Sequence, residues 1–388
     1  MPSIPALVEP TLLEWARRSA NLEPVAAARK IGIPDGRIEE WESGETRPTI
    51  AQLRTAANVY RRALAVFFLP EPPSGFETLR DFRRLALQQS GAWSAALHAE
   101  YRRAHLQRDA LLEIAELDEE PPVAEWLLRN LPDDDDSLAM RAREHLRGQA
   151  LLPPPTTAAD EYKHLNYWTN ALEEAGVLVM STEGGQVAVE EMRAFSLYFD
   201  LVPVIMLNGT DATRGRLFSL LHEYAHLLLH TEGLCDTTTD TRATSPDRAL
   251  EARCNALAAA MLMPEQAILT SPLVKEHPAG QPWSLPELIE AAQPFGVSAE
   301  AFLRRLVTLG KVPLKHYQEF REGRDSPVVR SRSGRGNFYY TKARDLGKGY
   351  VRRVAGAHRR ALIDSNTAAT YLDVKVGQIA KLAEVSQV

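Results

Sequence analysis

Three residues stand at a spacing that could do chemistry: His222, Glu223 and His226, within His222-Glu223-Tyr224-Ala225-His226. They lie in an unbroken helical pattern from Arg216 to Leu229. On a helix, residues four apart share a face, so both histidine rings can aim a nitrogen at one ion. Zinc accepts imidazole nitrogens at about 2.0–2.1 Å and leaves positions for a third ligand and a water. Glu223 falls on the neighbouring flank, where a carboxylate can take the proton of a water held at the metal. The chemistry this spacing suits is metal-assisted hydrolysis, with Glu223 as general base.

A third ligand is needed. His230 continues the spacing, but eight residues of helix span about 12 Å, too far for His222 and His230 to share an ion. Glu251 is the better candidate. It comes 25 residues after His226 and opens the Ala-rich helical stretch Glu251-Ala252-Arg253-Cys254-Asn255-Ala256-Leu257-Ala258, which can pack closely on the histidine helix. Asn255, four residues later on the same face, could steady a ligand histidine by a hydrogen bond. Cys254 reads as a small buried hydrophobe, and Cys235 lies in the loop after the metal helix. Tyr224 points away from the ligand face.

The sequences HEYAHLLLH (222–230) and EARCNALAAAMLMP (251–264) resemble the ImmA/IrrE family of zinc metallopeptidases, whose pattern is HExxH, a loop, then ExxxNxFAxxLLMP. The likeness covers roughly residues 160–320. Leu257 stands where the family usually has Phe, a core position that leaves the chemistry intact. The resemblance implies that His222, His226 and Glu251 bind one Zn2+ per chain and that Glu223 is the base. It also implies an endopeptidase acting on a protein substrate, a helix-turn-helix repressor cleaved in a DNA-damage, mobile-element or phage-defence response.

Several elements must position these residues. A helix is expected from Asp160 to Ala175, capped by Gly176. Strands follow at Val177–Met180, Phe195–Phe199 and Val204–Leu207, as apolar runs rich in β-formers. Helices are then expected from Thr213 to His230, Arg248 to Met263 and Leu285 to Leu309. The fold class is α+β, with a small sheet before the metal helix. The stretch from Phe195 to Leu207 is the candidate edge strand for an extended substrate. Further upstream, residues 76–131 read as amphipathic helix, with Leu97, Tyr101, Leu106 and Leu112 on its apolar face. The acidic runs Asp118–Glu120 and Asp133–Asp136 read as solvated loops.

The N-terminal segment reads as helix, tight turn, helix across Glu23–Ile31, Gly32 and Pro34–Glu42. Ala27, Gly32, Ile38, Trp41, Glu42, Gly44, Pro48 and Leu53 resemble the spacing of Xre-type helix-turn-helix domains over residues 7–69. In that family the second helix enters the major groove. Here its leading positions are Asp35, Gly36, Arg37, Glu39 and Glu40, so only Arg37 is an obvious base reader, and the acidic neighbours oppose phosphate. Docking or dimerisation is the alternative role, which leaves a homodimer open.

The chain has 388 residues with 45 Lys and Arg against 51 Asp and Glu, a formal charge of −6. That sum is a cancellation. Residues 321–388 hold 14 Lys and Arg against 6 Asp and Glu, a local +8, and the remainder carries −14. Arg330, Arg332 and Arg335 sit among glycines, followed by Phe338, Tyr339 and Tyr340, a composition suited to backbone neutralisation and base stacking on single-stranded DNA. Ala361 to Leu382 resembles another small helical unit, within which Asn366 to Gly377 is similar to a helix-turn-helix. No internal repeat is evident. Two cysteines exclude a disulfide framework, and no apolar run approaches membrane length, so a cytoplasmic protein is expected.

The expected organisation is an Xre-type domain (1–72), a helical linker region (73–159), a zincin-like metallopeptidase domain (160–322) and a basic helical C-terminal region (323–388). DNA contact is expected either as duplex at the N-terminal domain or as single strand at the C-terminal region, with no membrane partner. The competing reading is a non-catalytic transcription regulator or antitoxin that keeps the zinc fold as a scaffold. The intact Glu223 argues against it.

Overall fold

The computed structural model describes residues 5–20, 22–60, 62, 64–71, 94–128, 134–152, 155, 161–230, 233–235, 246–278, 280–322 and 337–387. The chain divides into two compact units, Met1–His105 and Leu106–Val388. In the first, α1 (Pro10–Ser19), α2 (Pro24–Ile31), α3 (Arg37–Glu42) and α4 (Ile50–Val59) are followed by a short 3-10 turn, Leu64–Phe68. They enclose a core of Leu13, Ala16, Ala27, Ile38, Trp41, Leu53, Tyr60 and Phe67. Arg17 ties α1 to α3 through a two-pronged contact with Glu42 at 2.7 and 2.8 Å and also donates to the Leu22 carbonyl. Thr49 and Gln52 form a reciprocal cap at the start of α4, satisfying backbone N–H groups that the helix leaves open.

The helix α5 (Ala95–Leu117) carries the division between the units. Leu97 and Tyr101 are buried as expected, but Leu106 is 63% exposed. The buried stripe runs instead through Ala104, Ala110, Leu111 and Ile114.

The second unit is mixed α+β. In chain order it holds α6 (Asp135–Gln149), α7 (Glu161–Glu174), β1 (Leu178–Ser181), β2 (Ala194–Leu197), β3 (Val204–Leu207), α8 (Thr213–Leu228), β4 (Gly233–Cys235) and α9 (Pro246–Leu262). There follow α10 (Glu265–Thr270), α11 (Pro272–Glu276), α12 (Leu285–Ala292), α13 (Ala299–Thr308), α14 (Leu314–Glu322), α15 (Phe338–Leu346), α16 (Lys348–Arg359), α17 (Ser365–Leu372) and α18 (Ile379–Val385). The sheet order is β1-β3-β2-β4, with β1 parallel to β3 and the other pairs antiparallel. Every residue of β1, β2 and β3 is buried. This is the pattern of strands covered on both faces, and it explains their near-continuous apolar sequence.

Two sequence expectations change here. Residues 195–207 do not offer an edge: β2 is flanked by β3 and β4, and β3 by β1 and β2. The outer strand on that side is β4, whose three residues are too few to leave a periodic signature. The expected helix 285–309 is two helices, because Pro294 removes a backbone donor and Gly296 takes φ +68 before Ser298 caps α13.

The core of this unit joins α6, α7, α8, α9, the sheet and α12–α14. The last four helices pack onto it: α15 and α16 meet β1, and α16 also meets α7. The Glu173 carboxylate accepts the Gly349 N–H at 2.8 Å and pairs with Arg352 at 3.4 Å. Arg360 grips Asp118 with both prongs at 2.7 and 2.6 Å, so part of the acidic run anchors this region rather than being solvated.

Candidate metal centre

Helix α8 is buried along almost its whole length, packed against α7, α9, β2 and β3. Such surroundings remove His222, Glu223 and His226 from water entirely, and all three are 0% exposed. The Nε2 atoms of His222 and His226 stand 3.2 Å apart. Glu251, on α9, brings Oε2 to 3.3 Å from His222 Nε2 and Oε1 to 3.3 Å from His226 Nε2. Ligand atoms about 2.0–2.1 Å from a tetrahedral metal stand about 3.3 Å from one another, so the three groups have the spacing of three corners of such a site. Among the described residues this is the one group of three or more His, Cys, Asp or Glu side chains so placed. Glu251 keeps 17% of its side chain exposed, which leaves the cluster reachable from solvent on that side.

The electrostatics of the trio follow from burial and contact. Burial alone would raise the Glu251 pKa, but the hydrogen bonds with His222 and His226 outweigh it and hold the carboxylate well below its ordinary range. Burial alone would lower His226, but contacts with Cys254 and Glu251 and the nearby charge of Glu223 hold it well above the usual histidine range. Both shifts favour positive charge at the point between the three side chains, which suits a cation there.

Glu223 lies one residue from the ligand face, and its Oε2 accepts the Ser196 hydroxyl at 2.8 Å. Ser196 is 0% exposed on β2, so the sheet fixes the carboxylate from behind. Sequence reasoning missed Ser196. Its available signal was being the polar residue in the otherwise apolar strand Ala194–Leu197.

Asn255, expected to steady a ligand histidine, forms no hydrogen bond to His222 or His226. Asn255 is half-buried and makes no side-chain hydrogen bond to another described residue, whereas Cys254 is fully buried close to His226. Burial raises the Cys254 thiol pKa. Tyr224 points away, donating to the Trp126 carbonyl at 2.9 Å. His230 lies beyond α8 at φ +55 with Nδ1 3.0 Å from the Tyr198 hydroxyl, outside the cluster.

In the first unit, Arg37 on α3 pairs with Glu40 at 2.8 Å, and Glu40 also accepts the Thr46 hydroxyl at 3.2 Å. The expected base reader is therefore engaged by a carboxylate of its own helix. Arg330, Arg332 and Arg335 lie outside the described residues. No helix among the described residues is long and apolar enough to cross a membrane.

A buried pair of histidines one helical turn apart, completed by a glutamate from the next long helix, defines a metallopeptidase-like core. Residues 172–307 match the family described as the IrrE N-terminal-like domain, a peptidase family, and residues 13–67 match the helix-turn-helix family. The two matches fall on separate stretches, a helix-turn-helix stretch followed by an IrrE-like one. No curated protein matches it.

Proposed function

We propose that the chain is a zinc-dependent endopeptidase whose substrate is a partner transcriptional repressor, cleaved in a stress, DNA-damage or phage-defence response. The observation that carries this reading is the convergence of His222, His226 and Glu251 beside a buried Glu223. These three side chains would hold the ion. Zinc bound there would supply Lewis acidity, acidifying a water and polarising a peptide carbonyl. Glu223 takes the water proton and later hands it to the leaving amine. The Ser196 hydroxyl keeps one carboxylate oxygen in place, so the other is directed toward the reacting water. An extended substrate strand would add beside β4. The peptidase domain supports a protein substrate, and the helix-turn-helix supports work close to a promoter. Activation by single-stranded DNA is the finer part of the proposal, supported by the +8 of residues 321–388.

The test is co-expression with the products of neighbouring genes, comparing wild type with Glu223→Gln. Cleavage of a neighbour's product by wild type alone supports the enzyme. Equal behaviour of the two proteins, with zinc bound in both, favours a regulator that uses the fold as a scaffold. Less than about half a zinc per chain after gentle purification would remove the ligand assignment. Single-stranded oligonucleotides that change neither binding nor cleavage would remove the activation step.

A further inference from the structure

The C-terminal helices α17 and α18 repeat the geometry of the chain's own helix-turn-helix. In the first unit, Ala28 on α2 is followed four residues later by Gly32 at φ +80, ten later by Ile38 and thirteen later by Trp41. In the second, Ala369 on α17 is followed four residues later by Asp373 at φ +48, ten later by Ile379 and thirteen later by Leu382. The backbone closes each turn in the same way. Ile33 N–H donates to the Ala28 carbonyl at 3.0 Å, and Val374 N–H to the Ala369 carbonyl at 3.0 Å. Arg37 N–H donates to the Pro34 carbonyl at 3.2 Å, and Gln378 N–H to the Lys375 carbonyl at 2.8 Å. Ile38, Trp41, Ile379 and Leu382 are all buried, so both second helices turn the same face inward. The sequence suggests a helix-turn-helix at Asn366 to Gly377 but not its correspondence with the first, because the shared positions are few and Asp373 replaces glycine at the left-handed turn, a conformation a short polar side chain tolerates.

The outward faces carry opposite charge. At the corresponding six positions the first unit has Pro34, Asp35, Gly36, Glu39, Glu40 and Ser43, a sum of −3 that the half-buried Arg37, opposite Gln378, brings to −2. The second has Lys375, Val376, Gly377, Ala380, Lys381 and Glu384, a sum of +1, and all six are exposed. Lys381 reaches Glu384 at 2.8 Å in an exposed pair, an interaction weak enough to yield to phosphate. Gly377 and Ala380 leave room for close backbone approach, while Val376 offers an apolar contact of the kind a thymine methyl accepts. The outer side of α17 adds the uncharged Asn366, Thr367 and Thr370, between Asp364, which caps the helix start, and Asp373, which Lys342 pairs at 2.8 Å.

We propose that α17 and α18 form a second helix-turn-helix that binds duplex DNA, with α18 lying in the major groove and Lys375 and Lys381 on the flanking phosphates. This site is independent of the peptidase reading. It places duplex binding on the same compact unit as the metal cluster.

Fluorescence anisotropy of the full-length chain with a random-sequence pool of 30-base-pair duplexes tests it, against a 30-nucleotide oligo-dT as the single-stranded probe. The double variant Lys375→Glu with Lys381→Glu should weaken duplex binding about tenfold or more. It should also reduce the slope of log K against log salt by about 1.8, two phosphate contacts at about 0.9 each. Glu384→Lys, which adds a cation to the same exposed face, should strengthen duplex binding, an outcome that misfolding cannot imitate. Arg37→Glu should change it less than about twofold. The proposal is overturned if wild type binds no duplex at low salt, or if binding is indifferent to these charges. It is equally overturned if oligo-dT binding falls in parallel, which would mark a general polyanion surface. A change from dimer to monomer with duplex binding intact would mark a self-association face and overturn it too.

Discussion

Glu223 and its partner Ser196 are both removed from water, so the 2.8 Å bond between them has no solvent substitute. Ser196→Ala therefore leaves a carboxylate oxygen without its donor while touching none of the three metal-binding side chains. Under the peptidase reading, kcat should fall about 10- to 100-fold, with KM within about twofold and zinc content unchanged. An equal loss of zinc would sink the positioning role. Cys254 lies buried on α9 close to His226. Cys254→Ala should weaken zinc affinity about tenfold in chelator competition, and Cys254→Ser should recover much of it. The histidine pair and Glu223 were legible because helix periodicity alone puts residues i and i+4 on one face. Ser196 was not, since no spacing rule ties a residue of β2 to one 27 positions later on α8. Cys254 was passed over because its buried-hydrophobe reading is correct as far as it goes: it is buried, and it also lies close to His226.

Among the elements, those with a strong period were readable and those set by packing were not. Strands β1, β2 and β3 and helices α7, α8 and α9 fall where their apolar runs predict. The break between α12 and α13 has a local cause in Pro294 and Gly296, residues present in the sequence but outweighed there by the apolar period. A Cβ at Gly296 would come within 2.5 Å of the His164 ring, so nothing larger than hydrogen fits. The docking of α16 on α7 left no local trace, because it depends on a buried carboxylate from a distant segment. Burial raises Glu173 from an ordinary 4.5 to about 7, against the opposing pull of Arg352, the Gly349 N–H and Lys348, and with a smaller push from Glu174. Folding therefore takes up a proton between about pH 4.5 and 7. Stability is greatest below that window and falls as pH rises through it, by about 3 kcal/mol in all. Glu173→Gln keeps an acceptor for Gly349 and removes the ionisation. Its Tm should match wild type near pH 5 and exceed it at pH 8. Parallel Tm curves for the two proteins across that range would refute the assignment.

At the scale of the whole molecule, a charge of −6 conceals an acidic body and a basic end, and the helices of that end are built onto the peptidase core. Helix α8 packs on α9, and these two helices supply the three side chains of the candidate metal site. An ion held by all three would bridge that contact, and an unfolded chain could not offer the same site. Binding to the folded state alone stabilises by about 2.7 kcal/mol when free ligand is 100 times Kd. For a unit of this size each kcal/mol moves Tm by about 2–4 °C. Stripping zinc with EDTA should therefore lower the Tm of wild type by about 5–10 °C, and readdition of zinc should restore it. Glu251→Gln removes the carboxylate that joins the two helices at the cluster, and its Tm should respond to neither treatment. A zinc-loaded wild type whose Tm is indifferent to EDTA would show that these side chains do not tie the helices through a metal.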